Sequence, residues 1–178
     1  CQSGRENLCP DRQIISMPPR EGAFAQYVTM PEANLVTVPD TVSLEKAALA
    51  EPLAVSWHAA RLALEAAHPA SDKKALVIGG GAIGLAAALA LRAMGVEDIT
   101  LVEPNETRRS YLREHCGENA VAEATGSYPV VIDAVGYAAT RASASGLASP
   151  GGVIAHVGLG EDLGGLDIRR MTLQEITF

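Results

Sequence analysis

From Lys74 onward, short uncharged apolar runs alternate with longer stretches whose apolar residues recur at helical spacing. Residues 75–78, 98–102, 119–122, 130–134 and 152–157 read as strands, and residues 82–94, 106–115 and 138–147 read as helices. The strand runs are nearly continuously apolar, as expected of strands covered on both faces. Strands joined in this way by helices imply right-handed crossovers and a parallel sheet. The expected class is therefore α/β, with a doubly wound parallel sheet. Only a short segment, residues 123–129, separates the third strand from the fourth, which leaves no room for a full helix there.

The first 52 residues carry a different pattern. Pro10, Pro18, Pro19, Pro31 and Pro39 punctuate short apolar runs, so an irregular, β-rich region is expected. Residues 22–28 and 34–38 read as strands, the second closed by Pro39, and residues 43–50 as a short helix with Ser43 as N-cap. Glu51 and Pro52 mark a break. Val55, His58, Ala59, Leu62 and Leu64 then recur at helical spacing and predict a helix linking two domains, divided as residues 1–52 and 53–178. Residues 175–178 read as a further strand. Residues 75–91 carry no charge and approach the length of a membrane span, but three glycines, Gly79 to Gly81, would weaken a helix at its centre. A strand, a glycine turn and a helix account for the same residues.

That turn carries the main chemical signal. Gly79, Gly80, Gly81, Ala82, Ile83 and Gly84 form G-x-G-x-x-G directly after a predicted strand and at the opening of a predicted helix. Gly79 permits the tight turn, Gly81 leaves bare backbone for a pyrophosphate, and Gly84 lets the helix pack close to the sheet. The helix N-terminus offers free N–H groups and the positive end of its dipole. Glu103 stands at the end of the second strand, where a carboxylate accepts hydrogen bonds from ribose hydroxyls and repels the additional phosphate of NADP. NAD is thus favoured over NADP. Arg108 can hold a phosphate, lie against the adenine, or be a solvated helix charge. Val135 and Gly136, with Val157, Gly158 and Leu159, follow later strands and are expected at the nicotinamide half, although strand-to-loop glycines are also ordinary usage. The expected architecture is a Rossmann domain.

Charge and cysteine usage narrow the picture. The net charge of −7 and the lack of clustered Lys and Arg exclude a nucleic-acid surface. Cys1, Cys9 and Cys116 are odd in number and follow no leader, which suits metal binding or burial in a reducing cytoplasm better than a disulfide framework. A chain opening on Cys1 is expected to be part of a longer protein. His58 is expected to be packed. His68, His115 and His156 carry no motif and read as surface or strand residues.

Four segments in order resemble the zinc-containing medium-chain dehydrogenases, including the sorbitol and threonine dehydrogenase types. They are Cys1 to Cys9, residues 22–27, Glu51 to Val55 with His58 and Ala59, and the glycine-turn unit. The resemblance implies that residues 1–52 are part of a GroES-like catalytic domain and that Cys1 and Cys9 are half of a four-cysteine structural-zinc lobe. On the residues alone, the two cysteines are equally well idle thiols. It also implies that Glu51 faces the catalytic zinc, where glutamate rather than cysteine hints at a sugar, polyol or amino-alcohol substrate. Otherwise Glu51 is a helix N-terminal acid followed by proline. The implied reaction is zinc-assisted hydride transfer between an alcohol and NAD in a homo-oligomer, with this segment alone binding cofactor but not catalysing. The alternatives are a zinc-independent quinone or enoyl reductase and a non-catalytic NAD-binding protein.

Overall fold

The computed structural model describes residues 4–178. The chain divides into two compact units, Cys1–Val42 and Ser43–Phe178. The division falls earlier than the expected boundary after Pro52.

In the second unit, β1 (Lys74–Ile78), β2 (Asp98–Val102), β3 (Asn119–Val121), β4 (Tyr128–Asp133) and β5 (Ala148–His156) form one parallel sheet in the order β3-β2-β1-β4-β5. Strand order reverses between β1 and β4, and a crevice opens at the carboxyl ends of strands at such a switch point. β1 shows why both faces are covered. Ala75 and Val77 join one apolar cluster, and Leu76 and Ile78 join another on the opposite face. The first cluster includes α2 (Ala50–Ala66), α3 (Ala82–Ala93) and Leu112 of α4 (Glu106–Cys116). The second includes Ala144 of α5 (Ala138–Leu147) and Ile176. Each fully buried Leu or Ile stabilises the sheet by about 1.5–3 kcal/mol relative to exposure.

Local chemistry sets the element ends. Ser43 Oγ accepts from Lys46 N at 3.4 Å and caps α1 (Leu44–Ala47) as expected. Asn105 Oδ1 accepts from Arg108 N at 2.9 Å and starts α4. β5 begins earlier than predicted. Its register jumps between Tyr128↔Ala148 and Val130↔Val153, so that Ser149, Pro150, Gly151 and Gly152 stand out of the ladder. No helix forms between β3 and β4.

Several expectations are corrected. α2 belongs with the sheet unit and is not a linker between the two units. Its buried face is Ser56, Ala60 and Ala63, while Val55, His58 and Leu62 are exposed. Small residues let α2 approach α3, and Ser56 Oγ donates to the Ile83 carbonyl at 3.0 Å. Residues 22–28 and 34–38 form no strand. The described part of the first unit holds two 3-10 turns, Glu6–Leu8 and Glu32–Asn34, and Phe24, Tyr27 and Val36 lie exposed. An alternating segment without a hydrogen-bonding neighbour has no ladder to join. Residues 175–178 contribute only an isolated bridge, Val153↔Thr177, after α6 (Ile168–Leu173). Among the described residues, no helix is long and apolar enough to cross a membrane.

Candidate functional site

β1 delivers the chain into the glycine turn at the switch point. Gly79 has φ +101°, a left-handed conformation that disfavours other residues, and its N–H donates to the Val102 carbonyl at 2.8 Å. A Cβ at Gly84 would collide with the Gly79 carbonyl oxygen, so the first turn of α3 rests directly on the strand exit. Gly81 faces open space. It is the N-cap of α3 without a side-chain cap, and no acid stands in the first turn. Ala82 is exposed and Ile83 half-buried beside it. The leading N–H groups of α3 are thus left to an anion from outside the helix.

Glu103 closes the β2 side. The residue is 2% exposed, and its carboxylate gathers three donors: Gly80 N at 3.1 Å, Asn105 N at 2.8 Å and Arg108 Nη1 at 2.9 Å. Burial pushes this carboxyl up, but the N–H of Asn105, the Arg108 guanidinium and the N–H of Gly80 outweigh burial and hold it below the usual carboxylate range. A carboxylate accepts about four hydrogen bonds, so roughly one site is left. Arg108 is paired with Glu103 rather than fully solvated. Its neighbour Arg109 donates to the Glu103 and Pro104 carbonyls at 2.8 and 3.0 Å and pairs with Glu106.

The other side of the crevice is built on Asp133, the last residue of β4 and 0% exposed. Its Oδ1 accepts from Val135 N and Gly136 N, both at 3.0 Å, and its Oδ2 accepts from Thr140 Oγ1 at 3.0 Å. Its main-chain carbonyl accepts from Val157 N at 2.9 Å and Gly158 N at 3.0 Å. One residue therefore ties the turns after β4 and β5 together. The two turns cross in backbone contact, because a Cβ at Gly136 or Gly158 would fall on the main chain of the other turn. Leu159 projects outward, 96% exposed. His156 Nδ1 lies 3.2 Å from Asp133 Oδ2 without hydrogen-bond geometry, and its ring stacks on Phe178. The structure thus brings Val135, Gly136, Val157, Gly158 and Leu159 to one end of the crevice and Glu103 and Arg108 to the other.

Sequence reasoning missed Asp133, Thr140 and Arg141. A lone carboxylate closing an apolar strand was the available signal for Asp133. Nothing local marked the other two.

Glu51 is exposed on the first turn of α2. Cys1 lies outside the described residues. Among those described, Cys116 is a free thiol and Cys9 is not. No three His, Cys, Asp or Glu side chains among them form a group able to hold a metal ion, so the described residues do not by themselves fit a zinc centre.

Comparison with known proteins adds to this geometry. The family described as zinc-binding dehydrogenase matches residues 82–178. Sorbitol dehydrogenase of Arabidopsis thaliana is 31% identical over 180 aligned residues, covering 92% of this chain and 48% of that protein. A zinc-binding dehydrogenase from Sinorhizobium meliloti 1021, solved bound to NADP, superposes with a TM-score of 0.81 at 28% identity, over 99% of this chain and 55% of that one. Acetophenone reductase from Geotrichum candidum, solved with NAD, shares the fold with a TM-score of 0.82 at 24% identity, over 99% of this chain and 53% of that one. The chain spans about half the length, or less, of the curated relatives it matches.

Proposed function

This chain belongs to the zinc-binding dehydrogenase family, and from that premise we propose that it holds NAD across the β1–β4 crevice, for hydride transfer to and from an alcohol or polyol in the whole protein. The observation that carries the reading is the bond from Gly80 N to Glu103, which couples a ribose-binding carboxylate to the turn that would receive the phosphates. Gly79, Gly81, Ala82, Ile83 and Gly84 line the pyrophosphate. Val135, Gly136, Val157, Gly158 and Leu159 border the nicotinamide.

Bound in this crevice, the nicotinamide would supply the acceptor for a hydride from the carbinol carbon, with the hydroxyl proton lost to solvent. The chain's own residues position and select. The first turn of α3 presents N–H groups to the phosphates. Glu103 accepts from the ribose and repels a 2′-phosphate, which favours NAD over NADP. Arg108 covers Glu103 with a side chain that is itself more than half exposed, so its guanidinium would be free to move aside for a ribose and to lie along an adenine.

Zinc enters for the whole protein only, with Cys1 and Cys9 carried as part of a structural-zinc lobe and Glu51 as facing a separate catalytic zinc, and no step is routed through either metal here. The named relatives support a polyol substrate. The reading extends to a cytoplasmic homo-oligomer without a membrane or nucleic-acid partner; the net charge of −7 supports the last of these.

Calorimetric titration with NADH and NADPH tests the site. Uptake of NADH alone is expected, and uptake of neither overturns the assignment. Metal analysis and steady-state assays of the whole protein with a polyol panel separate it from a zinc-independent reductase and from a non-catalytic NAD-binding protein.

A further inference from the structure

Arg141 is 5% exposed on the first turn of α5, and all four of its hydrogen-bond partners are main-chain carbonyls. Nε donates to Gly164 at 2.5 Å, Nη1 to Gly136 at 2.9 Å and to Glu161 at 3.0 Å, and Nη2 to Leu163 at 2.6 Å. Four of the five guanidinium N–H groups are thereby used. A buried cation is tolerated when its donors are met in this way, and a planar fork can meet carbonyls that a lysine could not reach together.

The carbonyls lie on two segments. Gly136 belongs to the turn after β4, while Glu161, Leu163 and Gly164 belong to the loop after β5. That loop has little apolar anchorage, because Leu159 and Leu163 are 96% and 84% exposed. It is held by polar contacts instead. Gly160 N donates to the Val135 carbonyl at 3.1 Å, Glu161 N to the Gly136 carbonyl at 2.9 Å, and Ala138 N to Glu161 Oε2 at 2.6 Å. Arg141 is bonded to three of its carbonyls, Glu161, Leu163 and Gly164.

We propose that Arg141 is a positioning residue for the nicotinamide half of the cofactor: its guanidinium locks the loop after β5 onto the turn after β4, so that Val135, Gly136, Gly158 and Leu159 present one fixed surface to the ring. This rests on the NAD reading above, and it concerns one half of the ligand only. The adenosine half is met by Glu103 and Arg108, which Arg141 does not touch.

The test compares NADH with ADP-ribose, which lacks the nicotinamide, by titration against the whole protein and its Arg141→Ala variant. The variant is expected to bind NADH roughly tenfold more weakly, the scale on which misplaced contacts act. ADP-ribose affinity is expected to stay unchanged, and added guanidinium ion to restore part of the NADH affinity. Parallel weakening of both ligands means a merely structural role and overturns the inference, as does unchanged NADH binding. Should Arg141→Ala fail to fold, Glu161→Ala removes the side-chain acceptor that holds Ala138 N to the loop, from an exposed position. A smaller selective loss of NADH supports the inference, and no selective loss overturns it. Failure of the unaltered protein to take up NADH at all instead overturns the reading beneath it.

Discussion

The two ends of the crevice are organised by opposite charges. At the β2 end an anion, Glu103, gathers N–H donors from Gly80, Asn105 and Arg108. At the β4–β5 end a cation, Arg141, gathers carbonyls from Gly136, Glu161, Leu163 and Gly164. Glu103 retains acceptor capacity and is covered by an arginine whose side chain is 55% exposed and able to swing away. Arg141 is spent on its own backbone and offers little to a ligand. On the proposed reading, one end recognises the cofactor through a side chain and the other through the shape of locked main chain.

Four measurements would break or sharpen that contrast. The largest effect is expected from Asp133→Ala. It strands the N–H groups of Val135 and Gly136, while the Thr140 hydroxyl keeps the Tyr137 carbonyl, for a loss of about 2–5 kcal/mol in chemical denaturation. A loss no larger than that of a surface substitution would mean that the turns are held elsewhere. Glu103→Ala is expected to cost about 1–3 kcal/mol, because Gly80 N is left buried without a partner. Unlike Arg141→Ala, it should weaken NADH and ADP-ribose together; a loss confined to NADH would merge the two ends into one network.

The third measurement is pH dependence. A folded carboxyl held below its unfolded value contributes stability that is fully present above the ordinary carboxylate value of about 4.3 and disappears as pH falls through the lowered folded value. The stability gap between the unaltered protein and Glu103→Gln should therefore be level from neutral pH down to the ordinary carboxylate range and close below it. A gap that closes as pH rises would contradict the lowered carboxyl. The smallest effect belongs to Arg108→Ala, expected at under about 1 kcal/mol because the guanidinium is largely solvated. Binding of NADP should remain absent in that variant, since Glu103 is still in place; uptake of NADP would shift the discrimination to Arg108.

The same division explains what was legible in the sequence. The five strands, the glycine turn and Glu103 were readable because each announces itself within a few residues: apolar runs, G-x-G-x-x-G and an acid at the next strand end. α2 was found, but its face was assigned to Val55, His58, Ala59, Leu62 and Leu64, of which Leu64 packs against the core, while the seam is made by Ser56, Ala60 and Ala63. Size rather than hydrophobicity decides a close helix–helix approach, and the larger side chains misled. Arg141 was invisible because its partners are backbone atoms of Gly136 nearby and of Glu161, Leu163 and Gly164 on a later loop, and backbone carries no sequence signal. Residues 22–28 and 34–38 show the converse, a strand-like alternation without a neighbour to pair with.

The crossing of Gly136 and Gly158 has a consequence for how such a pocket can diversify. Where two main chains touch, neither position admits a side chain, and neither turn can shift without carrying its counterpart along. Variation among descendants of this sequence is thereby channelled away from the knot and into the groups that project beside it, Val135 and Leu159. The crossing itself resists substitution, while the rim around it is free to be rewritten.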